Sequence, residues 1–227
     1  MKKTILYFSA IFLVLASIAF VEKSKPGSPL HISKVVGAVQ DKQISTIEDN
    51  SGDWLTYGRN YGEERFSPLG QITKDNVGQL GLAWSINLGT SRGIEATPLV
   101  VDGIMFLSGP WSVVYAINTR NGKLLWTYDP QVPKEFGEKA CCDVVNRGVA
   151  MYKGNIFVGT LDGRLVSINA STGKKKWEVL SVSHDRSYTI TGAPRVMDGK
   201  VLIGNSGAEY VVRGYVSAYD AMTGKKI

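Results

Sequence analysis

Cysteine and histidine are the scarcest chemically active residues here, with two of each among 227 positions. His31 and His184 have no partners at metal-ligand spacing, which removes the usual support for a histidine-ligated metal site. No dense run of one charge is present. Lys and Arg exceed Asp and Glu by 26 to 20, a formal net charge of +6 that falls to +4 without Lys2 and Lys3. That excess is too small and too scattered for a nucleic-acid surface. Lys174–Lys176 reads as the solvated flank of a turn.

Long apolar runs are also few. Ile5–Val21, 17 residues, is marginal for a membrane span. Lys2 and Lys3 precede it, and Ser17-Ile18-Ala19 offers small residues at a cleavage position. Residues 1–19 therefore read as a secretory signal, with an uncleaved membrane anchor as the alternative. No cysteine follows the apolar core, which excludes a lipid anchor there. Export predicts a periplasmic, oxidising setting. Residues 20–50 are polar, carry Pro26 and Pro29, and hold few large apolar side chains, so a flexible leader is expected.

What remains is globular: 44% hydrophobic, 20% charged, and rich in Gly, Tyr and Trp. From Asp53 onward, short β-type runs alternate with glycine turns. An internal repeat runs Tyr115–Trp126, Val166–Trp177 and Val216–Ile227, with turn glycines at 122, 173 and 224, a spacing of 51 both times. An upstream strand opens each unit, at Asp102–Phe106, Lys153–Val158 and Asp198–Ile203. About four short strands per 50 residues, repeated, predict β-propeller blades rather than a β-sandwich. Asn121-Gly122 and Thr172-Gly173 are expected to join two strands, with Trp126 and Trp177 packing on the following repeat. Each Trp follows its glycine by four residues, and four past Gly224 lies one place beyond Ile227. The expectation is therefore about three blades of a larger propeller, cut inside a docking motif.

Both cysteines are neighbours, in Cys141-Cys142-Asp143-Val144-Val145-Asn146-Arg147-Gly148. Adjacent Cα atoms across a trans peptide lie about 3.8 Å apart, closer than an ordinary disulfide wants. Closing the pair would make a strained ring, and strain tends to mark function. From spacing alone, a vicinal disulfide and two free thiols both remain open.

This stretch, the repeat, and the segment Asp53-Trp54-Leu55-Thr56-Tyr57-Gly58-Arg59-Asn60 with Arg65-Phe66-Ser67-Pro68-Leu69 resemble the pyrroloquinoline quinone (PQQ) dehydrogenases of the methanol and ethanol dehydrogenase type over residues 52–227. The resemblance implies an all-β propeller of eight tryptophan-docking blades, with residues 51–227 forming its N-terminal part. It implies a Cys141–Cys142 disulfide as one face of the PQQ pocket. It implies cofactor contacts at Glu95 within Ile94-Glu95-Ala96-Thr97-Pro98, at Arg147, at Thr191 within Tyr188–Pro194, and at Ser206, Gly207 and Ala208. Glu209 would bind the metal beside PQQ, Ca2+ or a lanthanide, because such ions take hard oxygen ligands. The implied activity is oxidation of a primary alcohol with a cytochrome c as electron acceptor, and a homo-oligomer or a small subunit is compatible with it. The general base, the further metal ligands and the opposite wall of the pocket are expected outside these 227 residues, so the chain by itself is expected to be inactive.

Taken residue by residue, blander roles stand beside these. Glu95 also reads as a surface acid and Arg147 as a partner of Asp143, while Arg213 reads as structural. Two rival functions are a non-catalytic propeller scaffold of the outer-membrane assembly type and a PQQ-dependent sugar dehydrogenase. The scaffold explains the repeat but not Cys141-Cys142, Glu95 and Ser206–Glu209 together.

Overall fold

The computed structural model describes residues 24–47 and 52–227; the expected secretory signal lies outside the described residues. Among the described residues, eleven strands form three antiparallel sheets in chain order. The first holds β1 (Leu99–Val101), β2 (Ile104–Ser108), β3 (Val114–Asn118) and β4 (Lys123–Tyr128). The second holds β5 (Ala150–Tyr152), β6 (Asn155–Gly159), β7 (Arg164–Asn169) and β8 (Lys175–Leu180). The third holds β9 (Arg195–Met197), β10 (Lys200–Gly204) and β11 (Val216–Asp220), and Ile227 N–H turns back to bond Ala218 O. Consecutive strands pair with their neighbours throughout, the up-and-down order of propeller blades.

Turn chemistry explains the repetition. The first two strands of each sheet are joined by Asp102-Gly103, Lys153-Gly154 and Asp198-Gly199, every residue of which has positive φ. Two consecutive left-handed residues make the mirror-image turn whose twist matches a β-hairpin. At the later turns, the glycine also makes room. A Cβ on Gly122, Gly173 or Gly224 would stand 2.7–2.8 Å from the rings of Trp84, Trp126 and Trp177 respectively. Tryptophan docking is thus confirmed for Trp126 and Trp177. Trp84 makes the same contact on the first blade, a role the repeat did not reveal because Trp84 lies upstream of its first copy.

The expected flexible leader is corrected over residues 24–47. Helices α1 (Pro29–Gly37) and α2 (Asp41–Ser45) form there, and Ile32, Val36, Val39, Ile44 and Ile47 are buried with the core of the first two blades. Signals for α1 were present. Ser28 caps it by accepting the His31 N–H, Pro29 sits in its first turn, and Ile32, Val36 and Val39 recur at helical spacing. Asp41 ties this segment to two blades, accepting from Tyr152 Oη (2.9 Å), from Tyr61 Oη (2.6 Å) and from Asp198 N–H (2.7 Å).

Candidate functional site: the converging loops of three blades

Three short segments lead into the first strand of each blade. Thr97, Gly148 and Ala193 each stand two residues before that strand, so the fold places them in equivalent positions. The segments join one another. Thr97 N–H donates to Arg147 O (3.2 Å), and Arg147 N–H donates to Thr191 O (2.9 Å). Side chains just upstream therefore face one another from three blades, as functional groups on a rigid scaffold often do.

Loop length does the rest. Residues 129–149 join β4 to β5 and carry the cysteine pair. Residues 205–215 join β10 to β11, where only 160–163 join β6 to β7, and this longer loop carries Ser206–Glu209. Gly207 has φ 113°, and a Cβ there would collide with Ser187 O, so the turn admits no side chain. Val211 has φ 63°, a left-handed state that a β-branched residue adopts only under constraint.

The result is a cavity of about 320 Å³ lined by Cys141, Cys142, Arg147, Thr191 and Ser206–Glu209. Arg147 Nη1 donates to Thr191 Oγ1 (2.7 Å), which shares a hydrogen bond with Ser206 Oγ (3.0 Å). Arg147 Nη2 pairs with Glu95 Oε2 at 3.2 Å. Glu95 is thus tied into the site through Arg147 rather than standing alone. Asp143 is not Arg147's partner; it pairs with Arg92. The proposed cofactor residues Cys141, Cys142, Arg147, Thr191, Ser206, Gly207 and Ala208 and the proposed metal ligand Glu209 line this one cavity, while Glu95 stands outside its lining and reaches it through Arg147.

Cys141 and Cys142 are free thiols here, with their sulfurs 2.9 Å apart. The Cys141 thiol is pushed up to about 12, first by its hydrogen bond with Cys142 and then by one with Glu209. A bond from its own backbone N–H, and then the one from Cys141, hold the Glu209 carboxylate below its ordinary range. No group of three or more His, Cys, Asp and Glu able to hold a metal is found among the described residues, so Glu209 stands as a single candidate ligand. His184 Nε2 donates to Asp162 O (2.6 Å) and the ring packs on Phe136; His31 bonds Asp102. Arg213 offers only its carbonyl oxygen, to Asn205 Nδ2.

Beneath the wall lies a buried polar node that the motifs did not point to. Asn146, 1% exposed, accepts from Ser108 Oγ (2.6 Å) and from Gly148 N–H (3.2 Å), and donates to Ser112 Oγ (3.2 Å) and Gly159 O (2.8 Å). It locks the cysteine loop between two blades. An asparagine between Val145 and Arg147 carries no signature of that role in the sequence.

Chemically, the lining offers a guanidinium bonded to one of two hydroxyls, and two adjacent sulfurs. A guanidinium is always charged and presents a fork of donors. Such a slot, floored by residues with little or no side chain, suits a flat molecule bearing carboxylates and carbonyl oxygens. The residues present therefore fit PQQ.

Comparison with known proteins agrees. The profile of the PQQ family described as "Glucose/ethanol/alcohol dehydrogenase, beta-propeller domain" matches residues 54–227. Quinohemoprotein alcohol dehydrogenase ADH-IIG of Pseudomonas putida is 55% identical over 204 residues, covering 89% of this chain and 28% of that protein. A 1-butanol dehydrogenase (cytochrome c) of Thauera butanivorans is 61% identical over 170 residues, covering 74% of this chain and 25% of that protein. The crystal structure of quinohemoprotein alcohol dehydrogenase from Comamonas testosteroni superposes with TM-score 0.84 at 53% identity, over 87% of this chain and 30% of that one. A europium-containing methanol dehydrogenase gives TM-score 0.78 at 41% identity, over 82% of this chain and 33% of that one. The chain thus spans between a quarter and a third of the length of these relatives. With its blade order, its docked tryptophans and its profile match, the chain belongs to the PQQ-dependent glucose/ethanol/alcohol dehydrogenase β-propeller family.

Proposed function

We propose that this chain forms one wall of the PQQ site in an exported enzyme that oxidises primary alcohols to aldehydes and passes the electrons to a cytochrome c. The observation that carries the reading is the convergence of Arg147, Thr191 and Ser206 on the cavity beside Cys141 and Cys142. The relatives named alcohol dehydrogenases, one of them linked to cytochrome c, support the substrate class and the acceptor. The basic, then apolar, first 19 residues support export.

When bound, PQQ supplies the two-electron acceptor for the alcohol's hydride. Arg147 would neutralise negative charge growing on the oxygens beside it, a donor set in place before reaction. Thr191 and Ser206 would hold a carboxylate through their hydroxyls. Glu95 orients Arg147 by pairing with its other nitrogen. Glu209 would give one oxygen to a calcium or lanthanide ion, whose Lewis acidity polarises a carbonyl. In the oxidising exported compartment, Cys141 and Cys142 would each lose a hydrogen to a disulfide oxidant and join, closing a flat apolar face.

The test is reconstitution of the whole protein with PQQ and Ca2+ or a lanthanide. We expect primary alcohols to support dye reduction, and Arg147→Ala to lower the rate at least a hundredfold. Turnover of sugars in place of alcohols would favour the sugar-dehydrogenase reading. Intact mass of the exported, unreduced protein should be lighter by two hydrogens; two alkylatable thiols would exclude the disulfide. Glu209→Gln should lower the bound metal without unfolding the blades.

A further inference from the structure

The loop 57–65 carries strain that the cofactor wall does not explain. Arg59, Glu63 and Arg65, none of them glycine, have φ of 80°, 55° and 55°. A Cβ on Gly58 would collide with the Glu63 backbone, so this loop is folded tightly on itself. Strain of this kind persists only where the surroundings hold it, and it clusters at functional sites.

What holds it is a cluster around Tyr57. The Arg65 guanidinium lies over the Tyr57 ring at 4.3 Å and that of Arg195 at 4.2 Å. Glu63 grips Arg195 with both oxygens, at 2.6 and 3.0 Å. A forked pair of this type fixes orientation as well as charge. Each guanidinium then reaches one of the converging segments. Arg65 Nη2 donates to Thr97 Oγ1 (3.4 Å), and Arg195 Nη1 donates to Ala193 O (3.0 Å). Thr97 bonds the third segment at Arg147 O. Gly148 closes the set, because a Cβ there would lie 3.3 Å from Ala193 Cβ and 3.4 Å from Thr97 O.

We infer that Tyr57, Glu63, Arg65 and Arg195 form a brace outside the cavity that sets the mutual position of the three segments, and so aims Arg147 and Thr191 at the cofactor. Tyr57 is a positioning residue; it does not line the cavity. The last step of the inference rests on the PQQ reading, whereas the brace rests on geometry alone.

The experiment separates the two. In the whole protein without cofactor, amide exchange is followed at Thr97 and Arg147, whose N–H groups bond across the segments, and at Ile156 in β6 as a reference. PQQ affinity is measured on the same samples by quenching of protein fluorescence. Tyr57→Leu should speed exchange at Thr97 and Arg147 at least tenfold, leave Ile156 unchanged, and weaken PQQ binding about tenfold. Tyr57→Phe, which keeps the ring under both guanidinium groups, should restore both values. Should Tyr57→Leu fail to fold, Glu63→Gln, which keeps the shape and frees Arg195, should give the same pattern. Unchanged exchange at Thr97 and Arg147, or acceleration shared equally by Ile156, would overturn the brace. Loosened amides with unaltered PQQ affinity would overturn its positioning role. Loosened amides in a protein whose wild type binds no PQQ would leave the brace standing and remove the cofactor reading.

Discussion

The second and third blades carry the same sequence signals but are packed differently. In β6 every residue is buried, and in β7 all but the ends; in β10 and β11 buried positions alternate with partly or fully exposed ones. Leu165 and Val216 each lie eight residues before their turn glycine, yet Leu165 is fully buried and Val216 is 74% exposed. The second blade has a neighbour on both faces, the first through Trp126 and the third through Trp177. Among the described residues, the third is covered on one. Turn chemistry is local and repeats with the sequence, whereas burial belongs to the neighbour.

The largest expected effect tests that claim directly. Leu165→Ala should cost about 2–5 kcal/mol in urea unfolding, the range for emptying a buried leucine site. Val216→Ala should stay within about 0.5 kcal/mol, as exposed changes do. Equal costs at the two sites would mean that each blade is stabilised from within. Next is the docking contact. Trp126 Nε1 donates to Ala170 O at 2.9 Å, while the buried Trp177 Nε1 has no hydrogen-bond partner. Removing the N–H with Trp126→Phe should therefore be worse than Trp177→Phe by about 1 kcal/mol, the usual net value of one hydrogen bond. Thermal unfolding of both variants, with matched loss of ring area, isolates that bond.

The smallest effect concerns the clamp that joins the two blades through Asp41. Burial pushes the Asp41 carboxyl up, but bonds from Tyr61, Asp198 N–H and Tyr152 outweigh it and leave it below its ordinary value of 3.8. Tyr152 is pushed up to about 12, by burial first and by Asp41 second. A lowered carboxyl adds stability above its unfolded value and loses it as the pH falls through the folded one. Asp41→Asn should cost on the order of 0.5 kcal/mol at pH 7, given how exposed the group is to screening. The difference from wild type should fade below the ordinary carboxylate range. A gap that persists at low pH would assign the clamp to shape rather than charge.

Much of this was legible in the chain. The 51-residue spacing of Gly122, Gly173 and Gly224 foretold the hairpins, since a left-handed turn with an aromatic ring above it leaves room only for glycine. Cys141-Cys142, Arg147 and Ser206–Glu209 marked the wall through their local pattern. The helices at 29–45 were missed although α1 carries its cap and apolar spacing, because both are short and their burial depends on blades more than fifty residues away.

Sequence alone therefore determined the blade type, the turns, the family and the candidate cofactor residues, because each rests on groups within a few positions of one another. Only the tertiary structure decided that Arg147 pairs with Glu95 and leaves Asp143 to Arg92, that Asn146 is the buried node, and that Tyr57 lies under Arg65 and Arg195. Those contacts join residues 8 to 138 positions apart, or turn on which way a side chain faces once three blades are packed. Side-chain partnership across blades is a property of their relative placement, which no local pattern encodes.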